Sequence, residues 1–196
     1  MNAWLRRCAC LVIPIAVALA SPPSSADSQC GTWTQISSMG SPAARDLGAS
    51  AFDSARGRLI LFGGRIASGE TYTNEVWACD LATSQWTQIA AAGTPPRERD
   101  TAAMIYDAHH DRMIVFGGLA AGGFPLLNDV WELSLSGTPT WTQLVPAGSA
   151  PPGRRAHSMV YDPGQGRAIV FGGVDDEGPD GDDNDVWQLS LDGPLQ

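Results

Sequence analysis

Three copies of one short pattern constrain this chain more than any other feature of its sequence. Residues 59–64, 113–118 and 168–173 each form an apolar, partly β-branched run that ends in Phe-Gly-Gly. The first glycines of the pairs stand at 63, 117 and 172, so the repeat interval is 54 and then 55 residues. Such a run is typical of a strand buried on both faces, and a repeat interval of about 50 residues is typical of a solenoid, propeller or array. The chain therefore contains three copies of one structural unit.

Further landmarks recur around these runs. They are Pro-x-x-Arg (42–45, 96–99, 151–154), aromatic-Asp (52–53, 106–107, 161–162), Asn-acid-Val-Trp (74–77, 128–131, 184–187) and Trp-Thr-Gln (33–35, 86–88, 141–143). Apolar-polar alternation between turn residues is typical of short strands. We predict strands near residues 47–53, 58–62, 74–81 and 85–90, repeated at the same interval. With 22 Gly and 14 Pro, which damage helix interiors, we expect negligible helix.

Together these landmarks resemble the kelch repeat. The resemblance covers about residues 33–196, with repeats at approximately 41–90, 95–145 and 150–196. It implies an all-β fold of the β-propeller type, with one four-stranded blade per repeat. It also implies that the glycine-pair strand lies near the inside of each blade and that the Trp-Thr-Gln strand lies at the rim.

The chain departs from this family in the number and completeness of its repeats. Propellers usually hold about four to eight blades, whereas three repeats are present here. The third repeat reaches Gln196 without a Trp-Thr-Gln strand, and an additional strand at 33–36 precedes the first repeat. We therefore expect a partial propeller with an unpaired edge at each end. Either two copies close a six-bladed ring around a two-fold axis, or the chain is a fragment of a longer reading frame.

Residues 1–26 have the features of a secretory signal peptide. Arg6 and Arg7 precede an apolar run at 11–20, which is followed by small residues. The run contains Pro14 and is too short to span a bilayer of about 30 Å, so a membrane anchor is the less favoured alternative. The sequence predicts a secreted or periplasmic protein, with no membrane contact after signal removal, in which residues 27–196 form the propeller segment.

The charge of the chain restricts its partners. The formal net charge is −9. The chain has no lysine, so all 12 of its basic side chains other than histidine are arginines. An acidic chain has no field that gathers phosphate groups, so nucleic acid is excluded as an expected partner.

Two cysteines, Cys30 and Cys79, remain after the signal peptide is removed. In an oxidising compartment they can pair or stay apart. Cys79 occupies the place of Leu133 and Leu189 in the other repeats, so a small buried apolar residue is the alternative to a disulfide.

An aspartate and an arginine face each other across the first hairpin of every repeat. The pairs are Asp53 with Arg58, Asp107 with Arg112, and Asp162 with Arg167. We predict surface ion pairs that hold the turn and contribute about 0 to 1 kcal/mol each.

Four residues are candidates for binding at the mouth of the propeller channel: Arg45, Arg99, Arg154 and His157. Equivalent positions of a propeller form an arc, and an arc of arginines can bind carboxylates. The alternative is that each arginine bonds backbone carbonyls between blades. His157 stands where the other repeats have Gly48 and Ala102, and we expect a packed, hydrogen-bonded histidine.

No cofactor and no metal are predicted. His109 and His110 lie in a hairpin turn, where adjacent histidines are commonly exposed. The acidic loop 175–185 has a composition that suits calcium, but it lacks the Asp-x-Asp-x-Asp-Gly register with a distal glutamate. A solvated loop is therefore expected.

The expected function is that of a secreted, non-enzymatic binding module for a protein or a carbohydrate. It rests on the fold and on loops that keep their length but not their sequence between repeats. The alternative is a relative or fragment of a kelch-propeller enzyme such as galactose oxidase, whose copper site uses tyrosines and histidines. Tyr106 and Tyr161 are already explained as strand ends, which leaves no copper set.

Overall fold

The computed structural model describes residues 31–36, 39–66, 71–123, 125–175 and 181–193. In these residues all regular structure is β and every sheet is antiparallel, which confirms the all-β fold. The chain divides into two units, residues 1–35 and 36–196. The predicted signal peptide and Cys30 lie outside the described residues.

Residues 31–36 do not form the strand that the sequence predicts at 33–36. A strand needs a hydrogen-bonded neighbour to satisfy its backbone groups, and no other described residue pairs with the backbone of this segment. The side chain of Trp33 is fully exposed.

The first repeat forms blade 1. Its strands are β1 (Arg45–Asp46), β2 (Ala49–Asp53), β3 (Arg58–Phe62), β4 (Arg65–Ile66), β5 (Thr71–Tyr72), β6 (Val76–Asp80) and β7 (Gln85–Gln88). The main sheet has the order β2-β3-β6-β7, and β1, β4 and β5 form a small second sheet. The predicted strands are confirmed, with slightly shorter ends.

The second and third repeats form blades 2 and 3. Blade 2 contains β8 (Arg99–Asp100), β9 (Ala103–Asp107), β10 (Arg112–Ala120), β11 (Leu126–Ser134) and β12 (Thr140–Leu144). Blade 3 contains β13 (Arg154–Arg155), β14 (Ser158–Asp162), β15 (Arg167–Asp175) and β16 (Asp182–Ser190). In both blades the glycine-pair strand lies second from the inner edge, as expected. Within the described residues, blade 3 has no strand on the outer side of β16.

The glycine pairs of blades 1 and 2 lie where each blade touches the backbone of the next blade. Gly117 and Gly118 have φ of +64° and +101°, a region that side chains other than glycine rarely adopt. A Cβ on Gly117 would lie 2.8 Å from the Arg154 carbonyl oxygen of the next blade, and one on Gly118 would lie 2.6 Å from the Asp100 carbonyl oxygen. The pair therefore permits both the bulge in β10 and the close approach of blade 3.

The hydrophobic core consists of two layers, each between consecutive blades. The first joins one face of blade 1 to blade 2, with Phe62 and Trp141 ring centroids 5.2 Å apart. The second joins the other face of blade 2 to blade 3 through Ile114, Phe116 and Val170. Burial of these faces drives the stacking of the blades, since no single blade covers itself.

The far face of blade 3 has the same apolar residues as the buried faces, but it is open. Phe62 and Phe116 are 1% and 4% exposed, whereas their counterpart Phe171 is 53% exposed. Val186 likewise is 66% exposed, while its counterpart Val130 is buried. Blade 3 thus presents a surface of the kind that its neighbours bury.

The hairpin ion pairs form as predicted, but two of the three are not on the surface. In each pair Nε of the arginine lies 2.8 to 2.9 Å from the aspartate oxygen. Asp53 and Asp107 have fully buried side chains because the following blade covers them, whereas that of Asp162 is 30% exposed. The expectation of surface pairs is therefore wrong for blades 1 and 2, because it treats each hairpin without its neighbour.

Candidate binding face

Each blade has two ends with different chemistry. We term the end at the glycine pairs the loop end, and the end at the turn between the first two main strands the hairpin end. Three long connections join the second and third main strands, and their described residues lie at the loop end: 65–66 and 71–73 in blade 1, 119–123 and 125–127 in blade 2, and 174–175 and 181–183 in blade 3. The four predicted binding residues belong to this end.

The arginines of Pro-x-x-Arg form the same buried clamp in every blade. In blade 2, Arg99 donates from Nη1 and Nη2 to the two carboxylate oxygens of Asp129 at 2.6 and 2.8 Å. Its Nη1 also donates to the Gly117 carbonyl at 3.0 Å, and its Nε donates to the Arg97 carbonyl at 3.0 Å. Trp131 Nε1 completes the clamp with a 2.6 Å hydrogen bond to Asp129. The guanidinium joins the start of its blade to the second and third strands.

The other two blades repeat this arrangement with different exposure. Arg154 pairs with Asp185 at 2.6 Å, and Arg45 pairs with Glu75 at 2.7 Å. The tryptophan of Asn-acid-Val-Trp donates to the acid in each case. The hydrogen bond from Arg45 is the main cause that lowers the pKa of Glu75, and Arg154 lowers that of Asp185 in the same way. Burial opposes ionisation of Asp129, but the bonds from Arg99 outweigh it and lower the pKa of this carboxyl as well.

The structure therefore gives Arg45, Arg99 and Arg154 full sets of partners within their own blades. It brings them to equivalent places, as the sequence predicts, and their carbonyl contacts lie within a blade and not between blades. Contact of any of these arginines with a ligand stays a prediction. The acidic partners were missed by sequence reasoning, although the acid of Asn-acid-Val-Trp recurs in every repeat and is the signal for them.

A backbone ladder crosses the three blades beside these clamps. The N–H of Thr101 donates to the Leu47 carbonyl at 2.8 Å, and the N–H of Ala156 donates to the Thr101 carbonyl at 3.0 Å. These three residues occupy equivalent positions, and all have φ between 50° and 56° although none is glycine. Such backbone is strained, and nothing in the residue types Leu, Thr and Ala predicts it. The ladder holds the inner edge of the blades together at the loop end.

His157 is buried between blades 2 and 3. Its ring meets the Phe116 ring edge-on, with centroids 5.1 Å apart. Burial and the charge of Arg154 lower the pKa of the imidazole to about 4, while a backbone contact at Phe116 opposes the shift. Neither ring nitrogen has a partner in hydrogen-bonding geometry. The expectation of a packed histidine is confirmed, and the expected hydrogen bond is absent in the described structure.

The long connections differ in chemistry from blade to blade. In blade 1, Arg65 lies 6.0 Å over the Tyr72 ring and its Nε is 2.9 Å from Asp100 of blade 2. The blade 2 connection is small and apolar, and the blade 3 connection is acidic. Burial and the neighbouring carboxylates Asp175 and Asp185 raise the pKa of Asp183 against the effect of Arg154. Since these residues do not repeat, they are free to differ with function.

A cavity of about 90 Å³ lies between blades 2 and 3 at the outer side. Phe116 and Val130 form its wall on blade 2, and Val170 and Trp187 form its wall on blade 3. Ala150 lies at its margin in the segment that joins the two blades. The cavity is largely apolar, which suits an aromatic or aliphatic side chain.

The remaining histidines and two of the tyrosines lie at the hairpin end, away from His157. His109 and His110 are exposed in the turn of blade 2, as predicted. His110 Nδ1 lies 2.7 Å from the Asp107 carboxylate. The backbone N–H groups of His109 and His110 also donate to this carboxylate. Tyr106 donates its hydroxyl to Asp111 at 2.9 Å. The structure does not bring these groups together with His157.

Metal and membrane contacts find no support in the described residues. No group of three or more His, Cys, Asp or Glu side chains there is placed to hold a metal ion. Residues 176–180 of the acidic loop lie outside this part of the chain, so calcium binding by that loop stays untested. No helix among the described residues is long and apolar enough to cross a membrane.

Cys79 is buried, and its burial raises the pKa of the thiol. Its pairing with Cys30 stays a prediction, because Cys30 lies outside the described residues.

Comparison with known proteins agrees with the observed blades. The family model described as the KLHDC2/KLHL20/DRC7 Kelch-repeats domain matches residues 25–193. Human Kelch domain-containing protein 3 is 33% identical over 122 residues, which are 59% of this chain and 31% of that protein. Adagio protein 3 of Arabidopsis thaliana is 31% identical over 156 residues, which are 78% of this chain and 24% of that protein. Dynein regulatory complex subunit 7 of Chlamydomonas reinhardtii is 30% identical over 117 residues, or 59% of this chain and 10% of that protein. The chain thus matches between a tenth and a third of the length of these relatives.

Proposed function

The chain belongs to the kelch-repeat family, whose repeats form protein-interaction modules, and from this premise we propose that it is a secreted, non-enzymatic binding module. One observation carries the proposal. The polar side chains that recur in every repeat are used inside the blades, whereas the long connections at the loop end differ from blade to blade. Contacts with a partner therefore fall to the residues that do not repeat.

Charge favours a basic partner surface. The whole chain has a net charge of −9, and the acidic connection of blade 3 adds a local cluster at the loop end. A basic protein segment that meets Asp182 and its neighbours gains electrostatic complementarity and a faster association rate. A carbohydrate partner is the second class in the proposal, and it would use hydrogen bonds from the same connections.

Selection on the mature protein tests the binding proposal. A displayed peptide library and a glycan array would be screened in parallel, and the best ligand of either class would be measured by calorimetry at two salt concentrations. We expect binding to be lost when residues 121–123 and 125 are replaced by serine and when Asp182 is changed to arginine. Replacement of His109 by alanine at the hairpin end is the matched control and should leave binding unchanged. A ligand whose binding is lost with His109→Ala but kept with the loop-end substitutions would contradict the proposal.

Secretion is tested separately from binding. We expect export to remove the first 20 to 26 residues, because small residues follow the apolar run at that distance. Intact-mass measurement of the exported protein would show the shortened chain. Recovery of the full N-terminus from cytoplasmic protein would refute this part of the proposal.

The enzymatic alternative has its own readout. The Tyr106 hydroxyl is bonded to Asp111, and burial together with a bond to Asp107 raises the pKa of Tyr161 to about 12. Neither phenol is therefore placed for ready ionisation as a metal ligand. We expect no oxygen consumption when copper and a primary-alcohol sugar are supplied together, and sustained consumption would favour the oxidase.

A further inference from the structure

The cavity between blades 2 and 3 corresponds to a place that a tryptophan fills between blades 1 and 2. There, Trp141 of β12 packs on Phe62 of blade 1 and is buried. The repeat counterparts of the residues around Trp141 line the cavity: Phe116 replaces Phe62, and Trp187 replaces Trp131. Blade 3 shows no fourth strand in the described residues. The cavity is therefore the space that the tryptophan of such a strand would occupy.

The chain also contains a Trp-Thr-Gln-Ile segment that no blade uses. Its Trp33 is fully exposed, and residues 33–36 form no strand. The residue four positions after Gln35 is Met39, which forms a parallel bridge with Gln85 of blade 1. In the same way Ala92, four positions after Gln88, forms a parallel bridge with Thr140 of blade 2. Residues 33–36 are thus the counterpart of β7 for a blade that would precede blade 1.

We propose that the segment 33–36 of a second copy of this chain adds to β16 as the fourth strand of blade 3, with Trp33 in the cavity. The repeats fix the register. Leu133 lies opposite Trp141, and Glu132 lies opposite Thr142. By repeat equivalence, Leu189 of one copy lies opposite Trp33 of the other, and Gln188 lies opposite Thr34.

The rest of the seam continues the interface that already joins the blades. The open Phe171 and Val186 face of blade 3 meets blade 1 of the second copy, which exposes Phe52 on its own uncovered side. Asn74 and Asn128 each donate to a proline carbonyl of the following blade. Their counterpart Asn184 would donate to the Pro42 carbonyl of the second copy. Two such seams, related by a two-fold axis, cover both open faces and fill both cavities.

Sedimentation equilibrium of the mature full-length chain, over about 1 to 200 μM, tests the association. We expect a dimer, and we expect Trp33→Ala to weaken it by about thirtyfold or more, since a buried tryptophan is a typical hot spot. Ala150→Trp should also abolish the dimer by filling the mouth of the cavity. The matched control is Ala150→Ser, which leaves the cavity open and should associate like the parent chain.

A second measurement tests the register, whatever the effect of the substitutions on affinity. In a Cys30→Ser background, a copy with Thr34→Cys would be mixed with a differently sized copy carrying Gln188→Cys. We expect a disulfide between the two copies, and none when the second copy carries Gln165→Cys, which lies at the hairpin end. A monomer at every concentration would overturn the proposal. So would a dimer that survives both Trp33→Ala and Ala150→Trp, or one that is lost with Ala150→Trp alone.

Discussion

At the scale of single residues, the same clamp has different energetic weight in different blades. The Arg99 side chain is fully buried and that of its partner Asp129 is 20% exposed, because blades stack on both sides of blade 2. In blade 1 the Glu75 side chain is 36% exposed, so water can solvate it if its arginine is removed. A buried charge without its partner is far more costly than a hydrated one. The contribution of each clamp should therefore follow the burial of its acid.

Replacing Arg99 by methionine should destabilise the fold by about 3 to 5 kcal/mol, since Asp129 and the Gly117 carbonyl lose their donor. Arg45→Met should cost about 1 to 2 kcal/mol because Glu75 is hydrated in part. Urea unfolding followed by tryptophan fluorescence measures both. Arg97→Met is the control: this exposed side chain donates to the Ala121 carbonyl, and its loss should change stability by about 0.5 kcal/mol or less. Equal losses for Arg99→Met and Arg45→Met would contradict the prediction.

His157 should make the protein sensitive to mild acid. The folded-state pKa is about 4 and the ordinary value is 6.5, so below pH 6.5 the unfolded chain takes up a proton that the folded chain refuses. The contribution of neutral His157 to stability is fully present above pH 6.5 and is lost as the pH drops to about 4, by about 3 kcal/mol in all.

The matched variant is His157→Ala, which installs the residue that blade 2 has at this position. It loses packing on Phe116 at every pH but should remove the slope between pH 6.5 and 4. Unfolding free energies measured at half-unit steps would show the difference. Parallel curves for the two proteins would mean that the imidazole does not cause the slope.

At the scale of the strand, the glycine pair should tolerate no side chain. Gly118→Ala would place a Cβ 2.6 Å from the Asp100 carbonyl oxygen at φ +101°. Gly122 has a similar φ of +91° but nothing within 4 Å of its would-be Cβ. Gly122→Ala should therefore cost about 1 to 2 kcal/mol for backbone strain, and Gly118→Ala at least about 2 kcal/mol more for the clash. Thermal unfolding of both variants gives the comparison, and similar losses would show that strain alone governs the pair.

Most of the strand pattern could be predicted from the sequence, because alternation, turn residues and the repeat all point to the same boundaries. The register of the hairpins also follows from the sequence, since Asp53 and Arg58 can pair only across a tight turn. These features depend on residues close together in the chain, where a pattern and its physical cause coincide.

The features that depend on neighbouring blades could not be predicted in the same way. The burial of Asp107 is set by blade 3, and the 30-residue separation of Arg99 from Asp129 gives no local pattern. The positive φ of Leu47 and its counterparts follows from the ladder between blades and not from their side chains. The strand predicted at 33–36 fails for the opposite reason: its local pattern is clear, but no neighbouring strand among the described residues pairs with it.

At the scale of the whole described unit, stability should decrease from blade 2 to blade 3. Both faces of blade 2 are covered, whereas blade 3 has one open face and β16 has no strand on its outer side within the described residues. In stacked repeats, each unit is stabilised mainly by its neighbours.

Hydrogen exchange measured by mass spectrometry should show this gradient. At concentrations below the association range, we expect amides of β16 to exchange at least about tenfold faster than those of β11. Blade 1, which is open on its other side, should be intermediate because its main sheet has all four strands, β2, β3, β6 and β7. Uniform protection across the three blades would indicate that the unit opens only as a whole.

The open face of blade 3 and the uncovered side of blade 1 are different surfaces, so any contact between copies that joins them has a direction. Blade 3 of one copy (the head) contacts blade 1 of the next (the tail), and the series of contacts closes into a ring only if the rotations from copy to copy add up to a full circle. With three blades per copy, a turn of about one sixth of a circle per blade closes after two copies. A smaller turn can close only with more copies, and a turn that never adds up to a full circle leaves one head and one tail exposed, so that further copies add to form a helical filament. The angle between adjacent blades thus decides between a closed particle and a fibre.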